Sequence, residues 1–69
     1  MEMTIGKRIA QLRKEKGMTQ EELSQKMEVS AQAVSKWEND QTCPDITSLP
    51  KLAKILGVTV DELLSGKEE

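Results

Sequence analysis

Ile5, Ile9 and Leu12 recur at spacings of four and three, with Lys7, Arg8, Gln11, Lys14 and Glu15 between them. That spacing gathers the apolar side chains on one stripe of an amphipathic helix. Gly17 follows, a residue that adopts left-handed backbone without strain, and so predicts the helix end. Thr19 and Glu22 then stand three apart, the capping-box pattern in which hydroxyl and carboxylate satisfy backbone donors left unpaired at a helix start. A second helix begins there, with Leu23 and Met27 as its apolar residues. It is short, because Val29 and Ser30 arrive at once. Ser30 is placed to cap a third helix that reaches about Asn39 and turns Val34 and Trp37 inward.

Asn39, Asp40, Gln41, Thr42, Pro44 and Asp45 are polar, turn-forming or helix-stopping residues, and with Cys43 among them they predict a loop. Asp45 is placed to cap what comes next. Ile46, Leu49, Leu52, Ala53 and Leu56 keep helical phase up to Gly57, although Pro50 removes a backbone donor early in this helix and predicts a tightened first turn. Thr59 and Glu62 repeat the capping box and open a fifth helix expected to bury Leu63 and Leu64. No strand candidate exceeds Val58, Thr59 and Val60, so the fold class is all-α with five short helices.

Composition narrows the function. Sixty-nine residues, 36% of them apolar, leave room for one core, so residues 1–69 are expected to form a single domain with a tail at 66–69 that frays. One cysteine and no histidine exclude an intramolecular disulfide and zinc sites built from Cys/His clusters. No paired nucleophile and base, metal cluster or phosphate-binding loop is present. No enzyme activity, metal, cofactor or small-molecule ligand is therefore expected. No apolar run resembles a signal peptide or membrane span, which implies no membrane partner and a cytoplasmic protein, in which Cys43 is expected to be inert.

Ten Lys and Arg against twelve Asp and Glu give a net charge of −2, which by itself argues mildly against a strongly electrostatic nucleic-acid binder. The distribution is uneven. Residues 1–17 carry five basic and two acidic groups, residues 18–45 two and six.

The informative window is 20–39, two short helices joined by a turn, with Leu23, Met27, Val29, Val34 and Trp37 at helix-turn-helix spacing. Five apolar positions match by chance in roughly one window in 170 at this composition, so the pattern needs support from its surroundings. That support is an ordered set of pieces: Ile5-Gly6-Lys7-Arg8-Ile9, the run from Leu12 to Leu23, Val29-Ser30, Ser35-Lys36-Trp37-Glu38-Asn39, Pro44-Asp45, the run from Leu52 to Val58, and Asp61-Glu62-Leu63-Leu64. With these, the sequence resembles the Xre-type helix-turn-helix family of the lambdoid phage repressors and Cro over residues 4–64.

The resemblance implies a five-helix, lambda repressor-like DNA-binding domain whose third helix lies in the major groove of double-stranded DNA. It implies base contacts from Ala31, Gln32 and Lys36: a methyl for thymine, an amide for adenine and an ammonium for guanine. It places Gln20, Ser30, Ser35 and Asn39 at phosphate-contacting positions. It also matches Arg13 and Glu38 to an ion pair that ties the first helix to the end of the third. The implied protein is a transcriptional regulator, most often a repressor, acting as a homodimer on a pseudo-palindromic operator. Val58 to Leu64, or a further C-terminal domain, would supply the dimer surface.

Three residues depart from the family pattern: Ser24 where alanine is usual, and Glu28 and Asp40 where glycine is usual. A left-handed backbone at Glu28 costs about 1–2 kcal/mol relative to glycine. Glu21, Glu22, Glu28, Glu38 and Asp40 also crowd the motif with acid. That crowding motivates an alternative, a protein-interaction module, antitoxin-like or regulator-binding, with weak or no affinity for DNA.

Overall fold

Four of the five helices start where a side-chain oxygen takes up a backbone donor that the first turn leaves unpaired. In the computed structural model, which describes residues 4–65, Thr4 Oγ1 accepts the Lys7 N–H at 3.2 Å and opens α1 (Ile5–Glu15). Thr19 and Glu22 close the reciprocal box at 2.9 and 3.0 Å and open α2 (Gln20–Met27). Ser30 accepts the Ala33 N–H at 3.1 Å and opens α3 (Ala31–Glu38). Thr59 and Glu62 repeat the box at 2.9 and 3.0 Å ahead of α5 (Val60–Ser65).

The start of α4 (Leu49–Leu56) is different, because Pro50 stands in its first turn and needs no backbone donor there. A 3-10 turn, Ile46–Ser48, precedes it and is the tightened entry that Pro50 predicts. Gly17 and Gly57 end α1 and α4 in left-handed backbone, with φ of 72° and 79°. Among the described residues the architecture is five α-helices and one 3-10 turn, without a strand.

All five helices contribute to one core. Ile9, Leu23, Val34, Leu52, Leu56 and Leu63 are its most deeply enclosed side chains, and Trp37 lies against them at 6% exposure. Three expectations fail at the edge of this core. Leu64 is 51% exposed, because successive residues on a helix point about 100° apart and Leu63 already takes the inward direction. Ile46 is 81% exposed, since the α-helix proper begins only at Leu49 and the 3-10 turn before it buries nothing. Asp45 makes no side-chain cap; its carbonyl instead accepts the Ser48 N–H at 2.8 Å. The tail at 66–69 lies outside the described residues.

Candidate nucleic-acid interface

The α2–α3 pair is held by its apolar side. Leu23 and Met27 on α2 and Val34 and Trp37 on α3 are all buried in the common core, and Val29 packs half-buried in the connection between them. Glu28 makes that connection sharp. Its φ of 61° and ψ of 40° are left-handed, and the chain doubles back so that Val29 N–H reaches the Ser24 carbonyl at 2.9 Å. The Glu28 carboxylate takes an exposed ion pair from Lys51 at 3.2 Å.

With Val34 and Trp37 committed inward, the remaining face of α3 is turned out. Ala31, Gln32 and Lys36 are exposed, as is Asn39 at the helix end, and Ser35 is half-buried. Ser30 uses its oxygen as a cap, which leaves the hydroxyl proton for an outside acceptor. Asn39 Nδ2 donates to Ser35 Oγ at 3.4 Å. No acidic residue stands in the first turn of α3, so the positive end of its peptide dipoles is uncompensated. An extended anion could meet this helix start, and planar hydrogen-bonding groups could meet Gln32 and Lys36.

Behind this face lies a hydrogen-bonded knot. Arg13 Nε donates to Glu38 Oε2 at 2.7 Å and Arg13 Nη2 to Glu38 Oε1 at 3.0 Å, a two-bond fork between side chains only 11% and 7% exposed. The remaining arm of the guanidinium, Nη1, donates to the Met18 carbonyl at 2.8 Å. Gln20 Nε2 adds a third bond to the carboxylate, reaching Glu38 Oε1 at 3.0 Å. α1, the start of α2 and the end of α3 therefore meet at the Glu38 carboxylate, and Arg13 ties the link between α1 and α2 to the same knot. Sequence reasoning assigned Gln20 only an outward role and missed this inward one, because a contact 18 positions apart leaves no local signal.

A second contact escaped the sequence for the same reason. Asp40, left-handed with φ of 60°, places its carboxylate against the start of α1, where Oδ2 accepts the Thr4 hydroxyl at 2.8 Å and Oδ1 the Gly6 N–H at 3.2 Å. Gly6 permits the approach, since a Cβ there would collide with the Trp37 carbonyl oxygen and the Asp40 carboxylate. Cys43 lies exposed in the loop that follows. On α5, the Glu62 carboxyl titrates below its usual range, chiefly because the Thr59 backbone N–H and then the Thr59 hydroxyl bond its charged form, with a smaller contribution from the Arg8 charge. Among the described residues no group of three or more Cys, Asp or Glu could hold a metal ion, and no helix is long and apolar enough to cross a membrane.

A short helix clamped across another by a sharp turn, with its polar face outward, defines a helix-turn-helix domain. The family model described as helix-turn-helix matches residues 9–63, and the chain belongs to that family. It is 44% identical over 66 residues to the transcriptional activator BcrR of Enterococcus faecalis, an alignment that covers 96% of this chain and 32% of BcrR. It covers 52% of ImmR, a transcriptional regulator of Bacillus subtilis, at 37% identity. The chain thus spans about a third to a half of these relatives. The P22 c2 repressor, solved in complex with a synthetic operator, superposes with a TM-score of 0.88 at 35% identity, covering 94% of this chain and 98% of that one. The biofilm master regulator SinR, solved in complex with DNA, superposes with a TM-score of 0.78 at 41% identity, covering 87% and 97%.

Proposed function

We propose that residues 1–69 act as one DNA-binding domain of a cytoplasmic transcriptional regulator, probing the major groove with the exposed face of α3. The observation that carries this reading is the pairing of a buried Val34 and Trp37 with an exposed Ala31, Gln32 and Lys36 on the same eight-residue helix. Gln32 and Lys36 read base edges and Ala31 meets a thymine methyl. Ser30, Ser35, Asn39 and Gln20 hold phosphates, and Gln20 does so with donors its bond to Glu38 leaves over. The complexes of the P22 c2 repressor with a synthetic operator and of SinR with DNA support the DNA-binding reading.

The domain acts as a repressor on a pseudo-palindrome, as a homodimer whose recognition helices lie about 34 Å apart. Leu64, exposed on α5, and the neighbouring stretch from Val58 supply a surface for the second copy. This function requires no bond-making chemistry.

Selection from a random duplex pool tests the reading. Enrichment of a two-fold symmetric site with half-sites one helical turn apart is the expected result. Gln32→Ala with Lys36→Ala should then weaken binding to that site by about 30-fold or more, since each specific base contact contributes roughly 1–3 kcal/mol. Unchanged binding in the double variant refutes the assigned readout. No enrichment at low salt, with a defined protein bound instead, establishes the interaction-module alternative.

A further inference from the structure

The acidic group that α1 lacks in its own first turn comes from 36 positions away. Asp40 takes the Gly6 N–H directly, and takes the Lys7 N–H at one remove, since Thr4 accepts from Lys7 and donates its hydroxyl to Asp40. A carboxylate at this place is favoured by the positive end of the α1 dipole. It gets there through two local features: a strained left-handed backbone at Asp40 itself and a missing side chain at Gly6.

Asp40 is also part of the end of α3. Its own N–H donates to the Trp37 carbonyl at 3.1 Å, and the next N–H, of Gln41, to the Lys36 carbonyl at 2.9 Å. Whatever fixes Asp40 therefore fixes the last turn of α3, which carries Lys36, and the first residues of the loop that leaves it. Arg13 grips the same turn through Glu38 from further along α1. Trp37 seats that turn in the core and Glu38 ties it to one end of α1; a second polar attachment at the other end of the same rigid helix narrows the angles left open to it.

Resting on the DNA-binding reading above, we infer that Asp40 is a positioning residue for sequence discrimination: its clasp on Thr4 and Gly6 sets the angle at which the last turn of α3 meets DNA. Glycine at this place would relax the backbone and release the turn.

The test compares wild type with Asp40→Gly and Asp40→Asn on two duplexes about two helical turns long, the one the wild type enriches from a random pool and a scrambled version of it. Asp40→Gly removes strain together with the clasp and so remains folded, which Trp37 fluorescence verifies. Asp40→Asn keeps an acceptor oxygen for one of the two donors and tolerates the left-handed backbone. The ratio of affinities, enriched over scrambled, should fall about tenfold in Asp40→Gly, the size of one mismatched base pair, and by less in Asp40→Asn. In the free protein, hydrogen exchange at the Asp40 and Gln41 amides should quicken in Asp40→Gly. An unchanged ratio, or equal changes in both affinities such as a lost negative charge alone would give, overturns the role of Asp40. Failure of the wild type to enrich any duplex instead refutes the DNA-binding reading itself.

Discussion

Replacing Arg13 by Met keeps the aliphatic stem and removes the guanidinium, which leaves the Glu38 carboxylate with Gln20 as its remaining side-chain donor. Both members of the pair are nearly enclosed, at 11% and 7% side-chain exposure, so the loss belongs to the buried regime. There, removing one partner costs about 3–5 kcal/mol. The bond from Gln20 stays in place and keeps the carboxylate from being wholly unpartnered, which puts the expected loss at the lower end of that range, about 3 kcal/mol. A domain of this length has a total stability of about 3–10 kcal/mol. Arg13→Met should therefore consume a large fraction of it. Adding Glu38→Leu removes the stranded charge and should recover part of the loss. Urea unfolding followed by the fluorescence of Trp37, the one tryptophan and a core residue, measures all four corners of this double-mutant cycle. A coupling energy of about 2 kcal/mol is expected. Coupling below about 0.5 kcal/mol, the range of exposed ion pairs, would refute the claim that this fork is a buried structural tie.

Glu28→Gly should stabilise the domain by about 0.5–1 kcal/mol, because relief of a left-handed side chain outweighs the extra chain entropy of glycine, and the exposed Lys51 pair contributes little; thermal unfolding measures it. Glu62 gives a pH dependence of definite sign. Its carboxyl titrates lower in the folded state than unfolded, so its contribution is complete above the ordinary value of 4.5 and is lost as pH falls through the lower folded value. Glu62→Gln should flatten that acid limb in unfolding curves taken below pH 4.5, and an unaltered limb would show the capping box to be silent.

What the sequence disclosed divides by range. Thr19 with Glu22, Thr59 with Glu62, Ser30 and Gly17 act on backbone within three or four positions, and the helices begin and end at these residues. Ile9, Leu12, Leu23, Val34 and Leu52 are legible as core because periodicity alone sorts them to one face. Leu64 and Ile46 are not, since a six-residue helix has room for one inward direction and the entry to α4 depends on where Pro50 lets the backbone tighten. The inward bond of Gln20 and the clasp of Asp40 join residues 18 to 36 positions apart, and no spacing rule reaches that far. The exposed face of α3 was legible as a face; what it contacts rests on chemistry outside the chain.

The acidity of the motif, which in the sequence counts against DNA, takes a different meaning once each carboxylate is located. Glu38 is enclosed and neutralised by Arg13. Glu22 is folded back on the Thr19 N–H, Asp40 faces the start of α1, and Glu28 has Lys51 beside it. Glu21 is left in the first turn of α2, where helix polarity favours it. Lys36 thus stands on the outer face of α3 while the first turn of that helix carries no acid at all. Net charge governs long-range attraction and salt dependence, so an acidic chain is expected to bind nonspecific DNA weakly and with a shallow salt slope. Local charge governs contact. Carboxylates held by the chain's own donors and cations oppose the approach of phosphates less than their number suggests, and on the reading proposed above discrimination between sequences would rest on Gln32, Lys36 and the angle at which α3 is held.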